Sequence, residues 1–397
     1  MSRQTAWKSR RQAGTATPAP PVPVRRRAPR ESKPAVPPPE PRSGLRIAGL
    51  AATVLLVGLS SLAFLLWYGA QGDAAVPEPG PPAVAPASTF RVVYRVDDMA
   101  GPQPQVESDV ITVRRPLDVR IEHWTGPQPG GTLTSGNIVD GHSDITLPDN
   151  ARAYATPLTV AFTAEVYSAD ALAAAADAGK AEVLGEEAVL GQSCTRYSYR
   201  HSGTEALAKG NGQDHVVSCV TRDGIMLREA VTVSGREVRR AVAVQLERTL
   251  PAPATYFAVG AGEPSADVQA TRRVIEGRPS GQQLAEAPAP RGFHVDRRLT
   301  DSRQEIDGPL LPFYLESFVA GGESVISEQY LYRTQASPPW SSDGGSPVPL
   351  GPGRSGQVLY HTGAVEVQTT VDGFPVRVLA PRADLALYVA STLRPRR

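Results

Sequence analysis

Cysteine is almost missing from this chain, with two residues in 397, Cys194 and Cys219. There is no CxxC pair, so neither a thiolate zinc site nor a dithiol redox motif has support. Histidine is also scarce: His123, His142, His201, His215, His294 and His361 are the six, and none stands in an HExxH or HxH pattern. No GxxxxGK[ST] loop occurs anywhere, and no GxSxG nucleophile elbow lies beyond residue 70. One GxGxxG match exists, GPGRSG at 351–356, but it sits in a Pro/Gly-rich loop and runs into QVLY, a strand pattern. A dinucleotide fingerprint must instead follow a strand and open a helix. VDGHSD offers Asp140, His142 and Asp144 as alternating ligand types, yet a turn between strands explains it more simply. The acid pairs Asp97/Asp98 and Glu186/Glu187 flank strands, where adjacent side chains point to opposite faces. Nothing therefore assembles a nucleophile, a base and an oxyanion site. The chain reads as a protein without catalysis, metal or cofactor.

Long apolar runs are confined to one place. Ile47 to Ala70 is free of charge, and at about 1.5 Å per residue this length covers a hydrocarbon core of roughly 30 Å. Residues 47–70 are thus expected to form one transmembrane helix, with Trp67 and Tyr68 at its interfacial end. Residues 1–46 hold a strong excess of Arg and Lys, including Arg25, Arg26, Arg27, Arg42 and Arg46, against Glu31 and Glu40. The whole chain is formally +1, so the part beyond the span is acidic overall and has no nucleic-acid footprint. The positive-inside rule keeps the tail in the cytoplasm and places the rest outside the membrane, single-pass. The tail is Pro-rich and lacks the large apolar groups of a core, so it is expected to be disordered. Residues 71–88 (QGDAAVPEPGPPAVAPAS) read as a stiff linker.

Beyond residue 88 the period becomes two. FRVVYRV sets Phe90, Val92, Tyr94 and Val96 on one face, and LDVRIEHW sets Leu117, Val119 and Ile121 opposite Asp118, Arg120 and Glu122. Such alternation marks antiparallel strands with one covered and one wet face. A single helix interrupts, SADALAAAADAG, with Ser168 as N-cap, Asp170 in the first turn and Gly179 as stop. Strands resume through REVRRAVAVQLE, and PAPA at 251–254 marks a boundary between a β domain at 89–250 and a smaller α+β domain at 251–397. The latter closes with the helix pattern ADLALYVASTL, in which Leu385, Tyr388, Val389 and Leu393 share a face. The arginine pairs Arg239/Arg240 and Arg297/Arg298 read as solvated faces.

The segment ITVRRPLDVRIE, with Arg115, Pro116 and Arg120, resembles the LolA-like lipoprotein carriers, in which a strand ends in Arg-Pro and the next begins around an Arg. LGEEAVLGQSCTRYSYR and TRDGIMLREAV are similar to later strands of that superfamily. The two-part layout, with PAPRGFHVDRRL opening the second piece, resembles the MucB/RseB sigma-factor regulatory family. The resemblance implies an α+β, mainly antiparallel fold: a curved half-barrel sheet with a covering helix. It further implies capture of a lipid, a lipoprotein or a segment of a partner membrane protein such as an anti-sigma factor. Those relatives are secreted or periplasmic, whereas this chain carries an anchor and a basic tail. On such a sheet the covered face would present Phe90, Val92, Tyr94, Val119, Ile121, Tyr197 and Tyr199. These either line an apolar groove for a ligand or pack solidly against the Ala-rich helix. The first case is a membrane-anchored binding and regulatory protein of envelope signalling, and the second a structural scaffold of the envelope.

The cysteine pair fits the same frame. A hairpin folding symmetrically about SGTEALAKGNGQ sets Cys194 opposite Cys219, Arg196 opposite Val217 and Tyr197 opposite Val216. Opposed Cα atoms lie about 4.5–5.5 Å apart, within disulfide reach. A disulfide is expected outside the membrane, contributing about 3–4 kcal/mol through loop closure. It shares the outer face with Arg196 and Ser198, and Tyr197 and Tyr199 turn inward.

Overall fold

The computed structural model describes residues 76–397 except 128, 141–142, 155–165, 202–205, 211, 251–255, 258–274, 277–283, 305–309, 332–344 and 397. The basic tail, the expected span at 47–70 and the PAPA boundary lie outside the described residues. Among the described residues no helix is long and apolar enough to cross a membrane.

The period-two segments form antiparallel strands: β1 (Thr89–Asp98), β2 (Gln105–Arg114), β3 (Asp118–Thr125), β4 (Leu133–Val139), β5 (Ser143–Leu147) and β6 (Ala151–Tyr154). Helix α1 (Ala169–Asp177) follows. Then come β7 (Glu182–Val189), β8 (Gln192–His201), β9 (Leu207–Ala208), β10 (His215–Val220), β11 (Met226–Val233) and β12 (Arg236–Glu247). They build one sheet in the order β6-β5-β4-β3-β2-β1-β12-β11-β10-β8-β7, with β9 on β8. The chain therefore starts in the middle, runs to one edge, crosses through α1 to the other edge and returns. That leaves β7 as a terminal strand.

The later strands are β13 (Ile275–Glu276), β14 (Leu284–Glu286), β15 (His294–Gln304), β16 (Leu310–Ala320), β17 (Glu323–Tyr330), β18 (Ser346–Pro349), β19 (Ser355–Tyr360), β20 (Val365–Val371) and β21 (Phe374–Ala380). Helix α2 (Ala383–Thr392) and β22 (Arg394–Arg396) close the chain. Eight of these strands form a second sheet, ordered β13-β15-β16-β17-β21-β20-β19-β18, and β14 pairs with β22.

Helix α1 is capped as its sequence requires. The Ser168 hydroxyl accepts from Ala171 N, and Gly179 takes φ 69° just past the end, relieving the Cβ clash any other residue would meet. Its small side chains let two cores approach one helix. Leu172 and Ala175 pack into the first core, with Val92, Tyr94, Ile121 and Tyr199. Ala171 packs into the second, with Val365, Val376, Val389 and Leu393. The Ala-rich helix thus serves both sheets rather than covering the first alone, and residues 71–397 cluster as one unit. Leu385 and Val389 on α2, and Leu393 just past its end, are fully buried against β20 and β21, whereas Tyr388 of the expected face is only partly buried.

The cysteine hairpin forms a disulfide in a different register. Cys219 lies opposite Arg196, Ser218 opposite Tyr197 and Val217 opposite Ser198, a shift of two residues from the symmetric expectation. The cause is in the connection, where β9 folds back on β8 and pairs Arg200 with Ala208, so the loop is not one symmetric arc. Cys194 and Cys219 are diagonal neighbours with Cα atoms 5.3 Å apart, and they are bonded. A shift of two preserves the faces. The disulfide still shares a face with Arg196, while Tyr197 and Tyr199 lie on the other. Both cysteines are buried, beneath Glu187, which pairs with Arg228 at 2.7 Å and Arg196 at 3.5 Å.

Candidate functional site

The structure brings together all seven residues read as a possible ligand face. Phe90, Val92, Tyr94, Val119, Ile121, Tyr197 and Tyr199 belong to one cluster, none more than 6 % exposed, with Leu172 and Ala175 of α1 packed among them. Tyr94 donates its hydroxyl proton to Met226 O at 2.6 Å, two strands away. Each large side chain buried this way contributes about 1.5–3 kcal/mol, so a guest acyl chain would have to displace stabilising contacts.

Beside this apolar area the same face carries a polar network that no local pattern announced. His123 Nδ1 lies 2.6 Å from Asp109 Oδ1, and Arg239 donates to Asp109 at 3.0 Å and to Glu229 at 2.7 Å. The Tyr167 hydroxyl donates to the other Glu229 oxygen at 2.7 Å. Burial first, and then the Glu229 charge, push the Tyr167 phenol well above its ordinary range, and Tyr199 is raised for the same reasons. The solvated face expected for Arg239 is not what the fold gives it, for it bridges two carboxylates from β2 and β11. Ser135 stands opposite His123 on β4, giving serine, histidine and aspartate on neighbouring strands. The Ser135 hydroxyl is shielded from solvent and makes no hydrogen bond. A nucleophile must touch both its base and its substrate, so this set does not assemble one.

A third cluster joins the two sheets. Arg115, at the β2–β3 turn, donates to Tyr167 O at 2.9 Å and Gly224 O at 3.0 Å, and burial lowers its pKa to about 10. Arg382 at the start of α2 pairs with Glu323 at 3.0 Å and donates to Gly80 O at 2.9 Å. Ala87 N donates to Asp223 O, and Glu78 accepts from Arg291 N. The described part of the Pro/Ala-rich linker is therefore strapped across this junction. Burial raises the carboxyls of Glu323 and Asp170 there. In the second sheet, Arg377 on β21 grips Glu328 with two hydrogen bonds of 3.1 and 3.0 Å, and His361 and Gln368 bond Glu366. Burial alone would raise Glu366, but the His361 hydrogen bond and the Arg377 charge outweigh it and hold the carboxyl below its ordinary range.

Exposed large apolar side chains of the first sheet lie on β2, on β7 and in the turn after it, and on β12. Val183 (53 % exposed), Leu184, Leu190 and Val244 stand out in solvent. Three of them sit at backbone irregularities. On β7, Val183 faces Tyr197 and Gly185 faces Arg196, so Leu184 is the extra residue of a bulge. On β12, Gln245 faces Val93 and Ala243 faces Tyr94, which makes Val244 the extra residue of another. Leu190 has φ 53° in the two-residue turn between β7 and β8, a conformation that asparagine or glycine adopts at lower cost. Leu190 and Val244 line an open groove of about 430 Å³ with Gln192, Gln245, Leu246 and Arg248. Bulges re-aim side chains, and strain clusters at functional positions. This edge is the surface of the described residues best built to meet something else.

Among the described residues no group of histidine, cysteine and carboxylate side chains could hold a metal ion. No family model matches the chain, and no curated protein matches it. The structure is similar to that of MucB in complex with MucA(peri), at TM-score 0.26 and 15 % identity over 78 % of this chain and 94 % of that one. The Pseudomonas aeruginosa MucA/MucB complex gives TM-score 0.28, 15 % identity and the same coverages. MucB alone gives 0.27 and 14 %, over 78 % and 93 %.

Proposed function

We propose that this chain is a membrane-anchored extracytoplasmic binding protein whose first sheet captures a segment of a partner protein along its β7 edge. The observation that carries the reading is that Val183, Leu184 and Leu190 stand exposed on and just past β7, whose outer edge carries no partner strand among the described residues, two of them presented by a bulge and a left-handed turn. Exposed apolar edges are a liability that folds normally blunt, so retaining one argues for an occupant. The anchor and the outside location rest on the 24-residue apolar run and the basic tail before it. MucB is seen with MucA(peri), and a comparable envelope partner is the class proposed for this chain, argued from the edge itself. Lipid capture at the seven-residue face is the weaker alternative because those side chains fill their own space.

Replacing Leu184 or Leu190 with a photo-crosslinking amino acid in cells, with exposed Arg236 as control, tests the proposal. One discrete cross-linked protein from both edge positions, absent from Arg236, is expected. No product at either position would favour the second reading, a structural scaffold, which the solid core supports. Extraction and mass spectrometry of the purified protein tests the lipid alternative, which requires a stoichiometric acyl ligand.

A further inference from the structure

We propose that the captured segment is basic and extended, adding to the sheet as a strand beside β7; this deepens the partner-binding reading and rests on it. β7 carries Glu182, Glu186 and Glu187 and no lysine or arginine. Glu187 is already matched by Arg196 and Arg228 on the disulfide face, which leaves Glu182 and Glu186, both exposed, to set the charge of the edge. Beyond the Leu184 bulge, Gly185 to Val189 pair regularly with β8. Five residues of ladder is a strand of about 17 Å, and alternate residues of a terminal strand direct their N–H and C=O groups outward. An added strand would satisfy those groups, and its apolar side chains would cover Val183 and Leu184. Past the tip it would meet Leu190 and the groove, where Gln192 accepts from Arg248 and Gln245 donates to Glu247, each keeping further amide capacity for a peptide group.

Charge decides among occupants. A second copy pairing antiparallel through the regular stretch Gly185–Val189 would set Glu187 against its own copy, and like charges directly opposed are destabilising. An anionic membrane surface would be repelled by Glu182 and Glu186. A segment alternating lysine or arginine with apolar residues can set its cations beside Glu182 and its apolar side chains over Val183, which lies on the opposite face.

The test uses full-length protein and a fluorescent octapeptide alternating lysine and valine. Two controls accompany it: the same peptide with glutamate for lysine, and one N-methylated at alternate residues so that it cannot join a sheet. Saturable binding of the lysine peptide is expected, weakened about tenfold or more by N-methylation. Leu190→Asn should weaken it to a similar degree while melting no lower than wild type, because asparagine suits a left-handed turn position; loss of binding then cannot be attributed to unfolding. Glu182→Lys with Glu186→Lys should reverse the preference toward the glutamate peptide. Equal binding of the N-methylated peptide would overturn strand addition, and preference of wild type for the glutamate peptide would overturn the charge assignment. Absence of peptide binding beside a positive cross-link at Leu184 would sink this inference and leave the partner reading standing. Absence of both would remove the two together.

Discussion

Reducing the Cys194–Cys219 bond probes the architecture as well as the bond. The bond closes a loop of 25 residues, for which the chain-entropy relation gives about 3.5 kcal/mol at 25 °C. How far this lowers the melting temperature depends on how much of the chain unfolds together. At about 2.1 cal/mol/K per residue, a cooperative unit spanning 76–397 has an unfolding entropy near 0.7 kcal/mol/K and would drop by roughly 5 °C. If residues 89–247 unfolded alone, the entropy would be near 0.33 kcal/mol/K and the drop roughly 10 °C. Because α1 contributes Leu172 to one core and Ala171 to the other, the smaller shift is expected. Calorimetry of oxidised and reduced protein, with thiol titration in denaturant, gives both quantities. Two reactive thiols in unreduced protein would refute the bond. A 10 °C drop with a second transition would refute the single cooperative unit, and an unchanged melting temperature would refute the loop-closure argument.

In the second sheet, Arg377→Met leaves Glu328 and Glu366 buried without their cation and should cost about 3–5 kcal/mol in urea unfolding; adding Glu328→Gln should recover part of that loss. Arg382→Ala removes the ties to Glu323 and Gly80, so limited proteolysis should cut residues 78–88 faster than in wild type, and an unchanged rate would deny the strap. Burial raises the Glu323 carboxyl above its ordinary value, so in the window between the two values the folded state holds a proton that the unfolded state has released. This group's contribution to stability therefore falls as pH rises through that window, and Glu323→Gln should flatten the slope. Glu366 is shifted the other way, and its contribution is lost as pH falls below its ordinary range, so Glu366→Gln should reduce the acid sensitivity. Both slopes are measurable as urea midpoints against pH.

Where one face of a strand is wet, the sequence shows its structure directly. FRVVYRV and LDVRIEHW form β1 and β3 with Phe90, Val92, Tyr94, Val119 and Ile121 inward, although Val93 and Glu122 on their other faces are buried too, and Ser168, Asp170 and Gly179 bound α1 as their chemistry demands. Elsewhere alternation located strands and misjudged their surroundings. Glu316, Glu328 and Glu366 occupy the polar positions of their strands, yet all three are buried and paired with Arg298, Arg377 and His361. A carboxylate covered by a distant arginine looks the same in one dimension as a carboxylate in water. The network of His123, Asp109, Arg239 and Glu229 was hidden for the same reason, since its members come from four strands and meet only once β12 lies beside β1.

The edge proposed as the binding site was illegible for a more specific reason. Within EVLGEEAV no residue pattern says that Leu184 is supernumerary; that follows from Val183 facing Tyr197 while Gly185 faces Arg196. The same holds for Val244, which is extra only because β12 slips against β1. Register in turn depends on connections such as β9, whose fold-back moved the cysteine hairpin by two residues. A regular ladder would alternate these side chains between the two faces of the sheet, whereas a bulge breaks the alternation and re-aims them. The slips that conceal the apolar edge from a one-dimensional reading are therefore the features that present it to a partner. Deleting Leu184, which restores regular pairing, should cost binding while leaving the fold at least as stable, and a deletion that preserved binding would separate the bulge from the function.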